Sequence, residues 1–444
     1  MLYKLKAVSL LLTSLLLCAL VSCNSTNKSG ETIKAVEKTD CCKLDSNNTY
    51  EVFIPVRNSF VEKLPLLIII DAHGSGKFAR DKFKQGVNRY PAILAASNLV
   101  KNGFANYEGA IRTLIEDVRQ KYPVSEAVFM TGFSGGARMT LGYAMTHPLD
   151  GVILCGALAN ADQINSIHCT IISISGMDDF NFMETAQFLF QEQSIPGNLK
   201  IELTNGSHNW PDSLMLADAF GFLQLSCQSA DISSLTKSQL GVYCENQHVR
   251  IDELKKHGDF LKAALVARNM SFTTPFNGDK TFASSYKNLT SKSEYLSQLN
   301  QLKNCLTFEI NVRKPYITAF MTKDIQWWKN EAKTIDEKIK NEQDSYKNDM
   351  YRRIKAFLGI ECYSLSNRSV KEHNTKMLNK IVSIYRMLEP DNPDMLYFSA
   401  LLYFWKENNE ATLSFLKKAR KAGFSDINRL KKDFPVSITS RISL

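Results

Sequence analysis

The run Ala127-Val128-Phe129-Met130-Thr131-Gly132-Phe133-Ser134-Gly135-Gly136-Ala137-Arg138-Met139-Thr140 decides how the chain is read. An apolar stretch, 127–131, has the make-up of a buried strand. Residues 137–145 can continue as a helix, and only the glycine-flanked Ser134 segment stands between the two. Strand, tight turn and helix therefore follow one another without a linker. A serine on so sharp a turn needs neighbours without bulk, because the backbone is strained and strand and helix pack closely; Gly132, Gly135 and Gly136 supply that. Gly-x-Ser-x-Gly alone is a weak signal. In this context it makes Ser134 a candidate nucleophile.

Working outward, further short apolar runs at 50–54, 66–70, 91–96, 151–155, 170–174 and 199–203 read as buried strands. Between the third and fourth strands of the whole set, residues 107–122 place Ile111, Leu114, Ile115 and Val118 at helical spacing, as a crossover helix would. Strands alternating with helices predict a mostly parallel sheet covered on both faces, with its site at the carboxyl ends of the strands. A serine hydroxyl needs a histidine to take its proton and an acid to orient that histidine. Both residue types lie where the sheet requires them. The run 170–174 ends in Ser175-Gly176-Met177-Asp178-Asp179-Phe180-Asn181-Phe182, and 199–203 ends in Thr204-Asn205-Gly206-Ser207-His208-Asn209-Trp210-Pro211. The run 66–70 ends in Asp71-Ala72-His73-Gly74-Ser75-Gly76. The glycine pattern of a dinucleotide site and the lysine-serine pair of a nucleoside triphosphate loop are absent there, and a metal reading of His73 lacks further ligands.

The Ser134 segment and Gly206-Ser207-His208-Asn209-Trp210-Pro211 together make residues 50–225 resemble the α/β-hydrolase superfamily, and within it the compact esterases related to polyhydroxybutyrate depolymerases and feruloyl esterases. The resemblance implies an α/β fold with a mostly parallel α/β-hydrolase sheet. It also implies a triad of Ser134 as nucleophile, His208 as base and an acid from the Asp178-Asp179 pair, with no cofactor and no metal. The family pattern Gly-x-x-Asp, followed by an apolar position, selects Asp179, with Gly176 before it and Phe182 after; Asp178 stays open as the alternative acid. The oxyanion hole is expected from the Gly135 amide and from the Ser75 amide, with Gly74 next. The implied activity is carboxylic-ester hydrolysis. A peptidase of the same superfamily and a non-catalytic binding or scaffold lipoprotein are the alternatives. No long insertion separates the strands, which predicts an open cleft suited to polymer-borne esters, with Trp210 and Phe182 either lining it or packing in the core.

The N-terminus has its own signal. Lys4 and Lys6 precede an apolar run, 7–21, and then Leu20-Val21-Ser22-Cys23. This resembles the lipobox of bacterial lipoproteins, which implies lipidation at Cys23 and export to the cell envelope, at the outer membrane on its periplasmic or surface side. The expected organisation is a signal peptide at 1–22, a lipidated cysteine and polar tether at 23–48, a hydrolase domain at 49–226, a helical region at 227–370 and repeat-like helices at 371–444. Within the second half, residues 324–358 read as one long amphipathic helix carrying Trp328, Ala332, Ile335, Ile339, Tyr346, Met350 and Phe357 on one stripe. Asn392-Pro393-Asp394 opens another helix, and Ala400, Tyr403, Thr412, Leu416 and Ala419 resemble the spacing of a tetratricopeptide repeat. Such an all-helical second domain implies either a protein-binding surface or a stabilising cap. The 444 residues carry 44% hydrophobic and 22% charged residues, the balance of a folded water-soluble chain. The net charge of +9 is spread without long single-sign runs, which argues against nucleic acid as a partner. Cys155 sits in an apolar run and is expected in the core.

Overall fold

The computed structural model describes residues 32–58, 63–190, 195–227 and 237–442; Cys23 and the segment expected to be a signal peptide lie outside the described residues. Eight strands form the central sheet: β1 (Val36–Cys42), β2 (Asp45–Ile54), β3 (Leu64–Ile70), β4 (Ile93–Ser97), β5 (Val124–Phe133), β6 (Gly151–Cys155), β7 (Thr170–Gly176) and β8 (Leu199–Thr204). Their order is 1-2-4-3-5-6-7-8. β2 runs antiparallel to β1 and β4, and the pairs from β4 to β8 are parallel. β3, β4 and β6 are buried along their whole length, as strands covered on both faces must be.

Helices α1 (Gly76–Arg89), α2 (Tyr107–Lys121), α3 (Gly135–Thr146), α4 (Phe182–Leu189) and α5 (Ser213–Ser226) belong to this half. Neighbouring residues of β2 show that the sheet is covered on both sides, because successive side chains of a strand point to opposite faces. The Tyr50 hydroxyl donates to Asp117 of α2 at 2.7 Å, while the next residue, Glu51, meets Arg80 of α1 at 3.5 Å. α1 and α5 share a face and approach closely at Gly86, where a Cβ would lie 3.1 Å from the Ala217 Cα.

Three sequence expectations give way here. The tether expected to run to Asn48 is in part sheet, since β1 and the first half of β2 occupy it. β1 is an exposed edge strand held by polar side chains: Asp40 pairs with Lys38 and Lys121 and accepts from the Tyr122 hydroxyl. It therefore has no apolar alternation to read. The single helix expected at 324–358 is two, Ile325–Asn341 and Ser345–Lys371. The break at 342–344 is fixed by Asp344, which accepts from the Lys347 amide, and by the Asn348 side chain, which donates to the Ile339 carbonyl. Ile339 before the break and Tyr346 after it still pack against the same apolar cluster.

The third concerns the boundary near Cys227. α6 (Lys237–Lys256), α7 (Phe260–Ser271), α8 (Lys280–Thr290) and the start of α9 (Ser293–Thr322) share one apolar core with the sheet, through Tyr243, Leu261, Phe276, Phe282, Leu302 and others. A second core takes over within α9. It joins α10 (Ile325–Asn341), α11 (Ser345–Lys371), α12 (Thr375–Leu388), α13 (Pro393–Phe404), α14 (Asn409–Lys421) and α15 (Ile427–Asp433). The reason lies at β8, an edge strand with unpaired backbone groups. Asn269 of α7 donates to the Ile201 carbonyl at 3.0 Å and accepts from its amide at 3.3 Å, as a neighbouring strand would. Arg268 donates to the carbonyls of Leu199 and Ile195. A chain ended after Ser226 uncovers that edge. It is expected to aggregate in size-exclusion chromatography and lose its cooperative thermal transition; a monodisperse, cooperatively melting fragment would contradict this account.

Candidate active site

Ser134 sits between β5 and α3 with φ 55° and ψ −116°, a conformation that costs a non-glycine residue strain. Two close approaches hold it there. A Cβ on Gly132 would lie 2.3 Å from the Gly136 carbonyl, and one on Gly136 would lie 2.1 Å from the Ile70 carbonyl of β3. The Ser134 amide donates to the Cys155 carbonyl at 2.8 Å, which ties the turn to β6, and Cys155 itself is core, as expected. Gly135 opens α3, so its amide lies at a helix terminus where the helix offers no acceptor.

The ends of β7 and β8 bring the other two residues in. His208 Nε2 is 2.8 Å from Ser134 Oγ, and Nδ1 is 2.9 Å from each carboxylate oxygen of Asp179. An ionised carboxylate only accepts, so Nδ1 carries the proton, and Nε2 of the neutral ring is left to accept from the serine hydroxyl. Asp179 is 1% exposed. It also accepts from the Asn181 amide at 2.8 Å, while the Asn181 side chain donates to the Gly156 carbonyl at 2.9 Å, anchoring the Asp179 loop to the end of β6. The rings of Phe133 and Phe180 pack on His208, with centroids 4.7 and 4.2 Å away. Ser134 is half-buried and the His208 side chain 19% exposed, so these two reach solvent while Asp179 does not.

Asp178, the alternative acid, turns the other way. It borders a cavity of about 430 Å³ shared with Asp349 and Tyr346 of α11 and His257 and Lys262. Burial raises its carboxyl above the usual range. The Asp349 carboxyl is pushed up to about 6, by burial first and by the Asp178 charge second.

The oxyanion loop departs from expectation. The Ser75 amide donates to Asp71 Oδ1 at 3.2 Å, alongside the His73 amide at 2.9 Å, and the Gly74 amide donates to the Asp71 carbonyl. The expected second donor is thus engaged within its own loop. Asp71 Oδ2 accepts from the Trp210 indole at 2.8 Å, so one buried carboxylate joins this loop to the histidine's. Trp210 and Phe182 are both core residues: Trp210 packs on Phe133 and Phe83, and Phe182 is fully buried beneath the Arg353 guanidinium. Nor is the cleft open all round, since Phe180 packs on its far side against the second, helical core. Sequence reading missed Phe180, Asn181 and Asp71. Only Asp71, an acid placed at a strand's carboxyl end, carried a local signal.

Sheet order and the strand–serine–helix turn define an α/β-hydrolase sheet joined to a large helical region. Solved structures of similar fold include the fluorophosphonate-binding serine hydrolase F of Staphylococcus aureus, at 14% identity, covering 44% of this chain and 99% of that one, with a TM-score of 0.37. The S-formylglutathione hydrolase of the same organism matches at 15% identity, 43% and 94% coverage and a TM-score of 0.34. The feruloyl esterase module of Clostridium thermocellum matches at 14%, 44% and 88%, with a TM-score of 0.35. No family model and no curated protein sequence matches the chain. The likeness is one of fold, and it covers less than half of the chain.

Two measurements separate the two carboxylates. Asp179→Asn is expected to cut turnover about 10⁴-fold by disfavouring the productive histidine tautomer, whereas Asp178→Asn stays within about tenfold of the parent. Equal losses would contradict the assignment. For Asp349 the sign follows from linkage. The folded chain holds a proton that the unfolded chain releases near pH 4, so the buried charge burdens the fold above about pH 6 and not below about pH 4. Asp349→Asn should therefore raise the Tm at pH 7.5 by a few degrees, with the gain shrinking as the pH falls from 6 to 4. An unchanged Tm at pH 7.5 would refute this.

Proposed function

We propose that the chain is a serine hydrolase acting on carboxylic esters. One observation carries the reading: Ser134 Oγ, His208 and buried Asp179 form a continuous hydrogen-bonded line at the ends of β5, β8 and β7. In the proposed reaction His208 Nε2 takes the hydroxyl proton as Ser134 Oγ attacks the ester carbonyl. The resulting oxyanion forms beside the Gly135 amide, and donors so placed are typically worth about a hundredfold to a thousandfold in rate. His208 then passes its proton to the leaving alkoxide, giving an alcohol and an acyl-serine. Water attacks the acyl group with His208 again as base, which releases the acid and restores Ser134. No step calls for a metal or cofactor.

The N-terminal motif supports placing this enzyme in the cell envelope, anchored by lipid at Cys23, at the outer membrane. The spacing at 392–419 supports a repeat-like helical surface able to bind a protein partner. Turnover of a short aryl ester, a polymer-borne ester and a peptide amide by the purified chain tests the reading. The expected result is ester turnover lost on the order of 10⁵- to 10⁶-fold in Ser134→Ala. Peptide cleavage without ester turnover would replace the esterase reading with the peptidase one. A folded chain inert to all three would replace both with a binding role.

A further inference from the structure

The loop that carries the acid is held from outside the sheet. Residues 177–180 leave β7 with two backbone carbonyls that no strand partner takes up, Met177 just before the aspartate pair and Phe180 just after it. Both accept from the helical half. Arg353 of α11 donates to the Met177 carbonyl, and Arg313 of α9 donates to the Phe180 carbonyl at 2.9 Å. Glu309 of α9 joins the two arginines, with one oxygen 2.8 Å from Arg353 Nε and the other 2.6 Å from Arg313 Nη2. Both side chains of the Arg353–Glu309 pair are 0% exposed. The Arg353 guanidinium lies 5.0 Å over the Phe182 ring, which follows the loop, and the Arg313 guanidinium 4.6 Å over Phe357.

We propose that Arg353 and Arg313, oriented by Glu309, are positioning residues for the triad: they fix the acid's loop so that Asp179 meets His208 Nδ1 and Phe180 packs on the imidazole. The inference rests on the triad reading above and assigns the helical half a part in catalysis within its own chain. Two physical arguments favour it over plain stabilisation. A fully buried ion pair surrenders the hydration of both charges, and replacing one with apolar side chains of similar volume is often neutral or stabilising. Stability alone therefore gives little reason to bury charge here. Guanidinium groups instead deliver several N–H donors in a fixed fork, which suits holding two carbonyls and a carboxylate in one geometry. The precision matters because a misplacement of about 1 Å in a catalytic group can cost on the order of a hundredfold.

The test compares the parent with Glu309→Met/Arg353→Met, which removes the pair with no net change of charge, and with Arg313→Met, a partly exposed position whose loss leaves the buried Arg353–Glu309 pair in place. On a short aryl ester, the double variant is expected to keep KM within about twofold and lose about tenfold to a hundredfold in kcat. The acid limb of its pH–rate profile should move to lower pH, because an imidazolium with a loosened Asp179 is less stabilised. Its downfield proton resonance from His208 Nδ1–H should weaken or vanish. Arg313→Met should show the same split in kcat and KM with a loss of about threefold to tenfold. Parent kcat, pH limb and proton resonance in a folded double variant would overturn the proposal, and so would parent kcat and resonance in Arg313→Met if the double variant fails to fold. An inert parent would instead sink the triad reading itself, which keeps the two failures distinct.

Discussion

The contact between Asp179 and His208 is the constraint on which the site depends. A hydrogen bond of this kind works only over a few tenths of an ångström and a narrow range of angles, yet its two ends sit on loops after different strands, 29 residues apart in the chain. Parallel pairing of β7 with β8 sets the loops side by side, and the sheet does no more than that. The final placement comes from what grips each loop: Asn181 on the Gly156 carbonyl and the arginines of α9 and α11 for the acid, and the Asp71–Trp210 bond for the histidine.

Seen from that contact, the molecule is less divisible than a hydrolase with an appended helical domain. α7 completes the edge of β8, the strand that leads to His208. α9 spans both cores and, with α11, holds the carbonyls that flank the acid pair. Ser134 is held differently, by steric crowding at Gly132 and Gly136 where β5 meets the first turn of α3, with no contact from the helical half among these. Ser134 is thus fixed within the sheet half, and Asp179 and His208 by the sheet and the helical half together.

What the sequence made legible divides along the same physical line. Buried parallel strands advertise themselves as apolar runs, so β3 and β5 to β8 could be read directly, and with them the glycine-flanked Ser134 turn. β1 could not, because an edge strand stitched by Asp40, Lys38 and Lys121 has the composition of a linker. Asp178 and Asp179 are adjacent, so only the loop's path decides which carboxylate reaches the imidazole. Arg353 and Glu309 stand in charged, helix-compatible sequence with nothing local to single them out. They are buried only because α11 crosses the acid's loop, and no local pattern records a crossing.

The most direct test of the central claim is to treat the purified chain with a fluorophosphonate and locate the adduct by peptide mapping. Such a probe captures a serine only when a neighbouring base activates it. The account predicts a single stoichiometric adduct on Ser134, its formation slowed severely in His208→Ala. Absence of an adduct on the folded chain, or an adduct on another serine with Ser134 untouched, would contradict it.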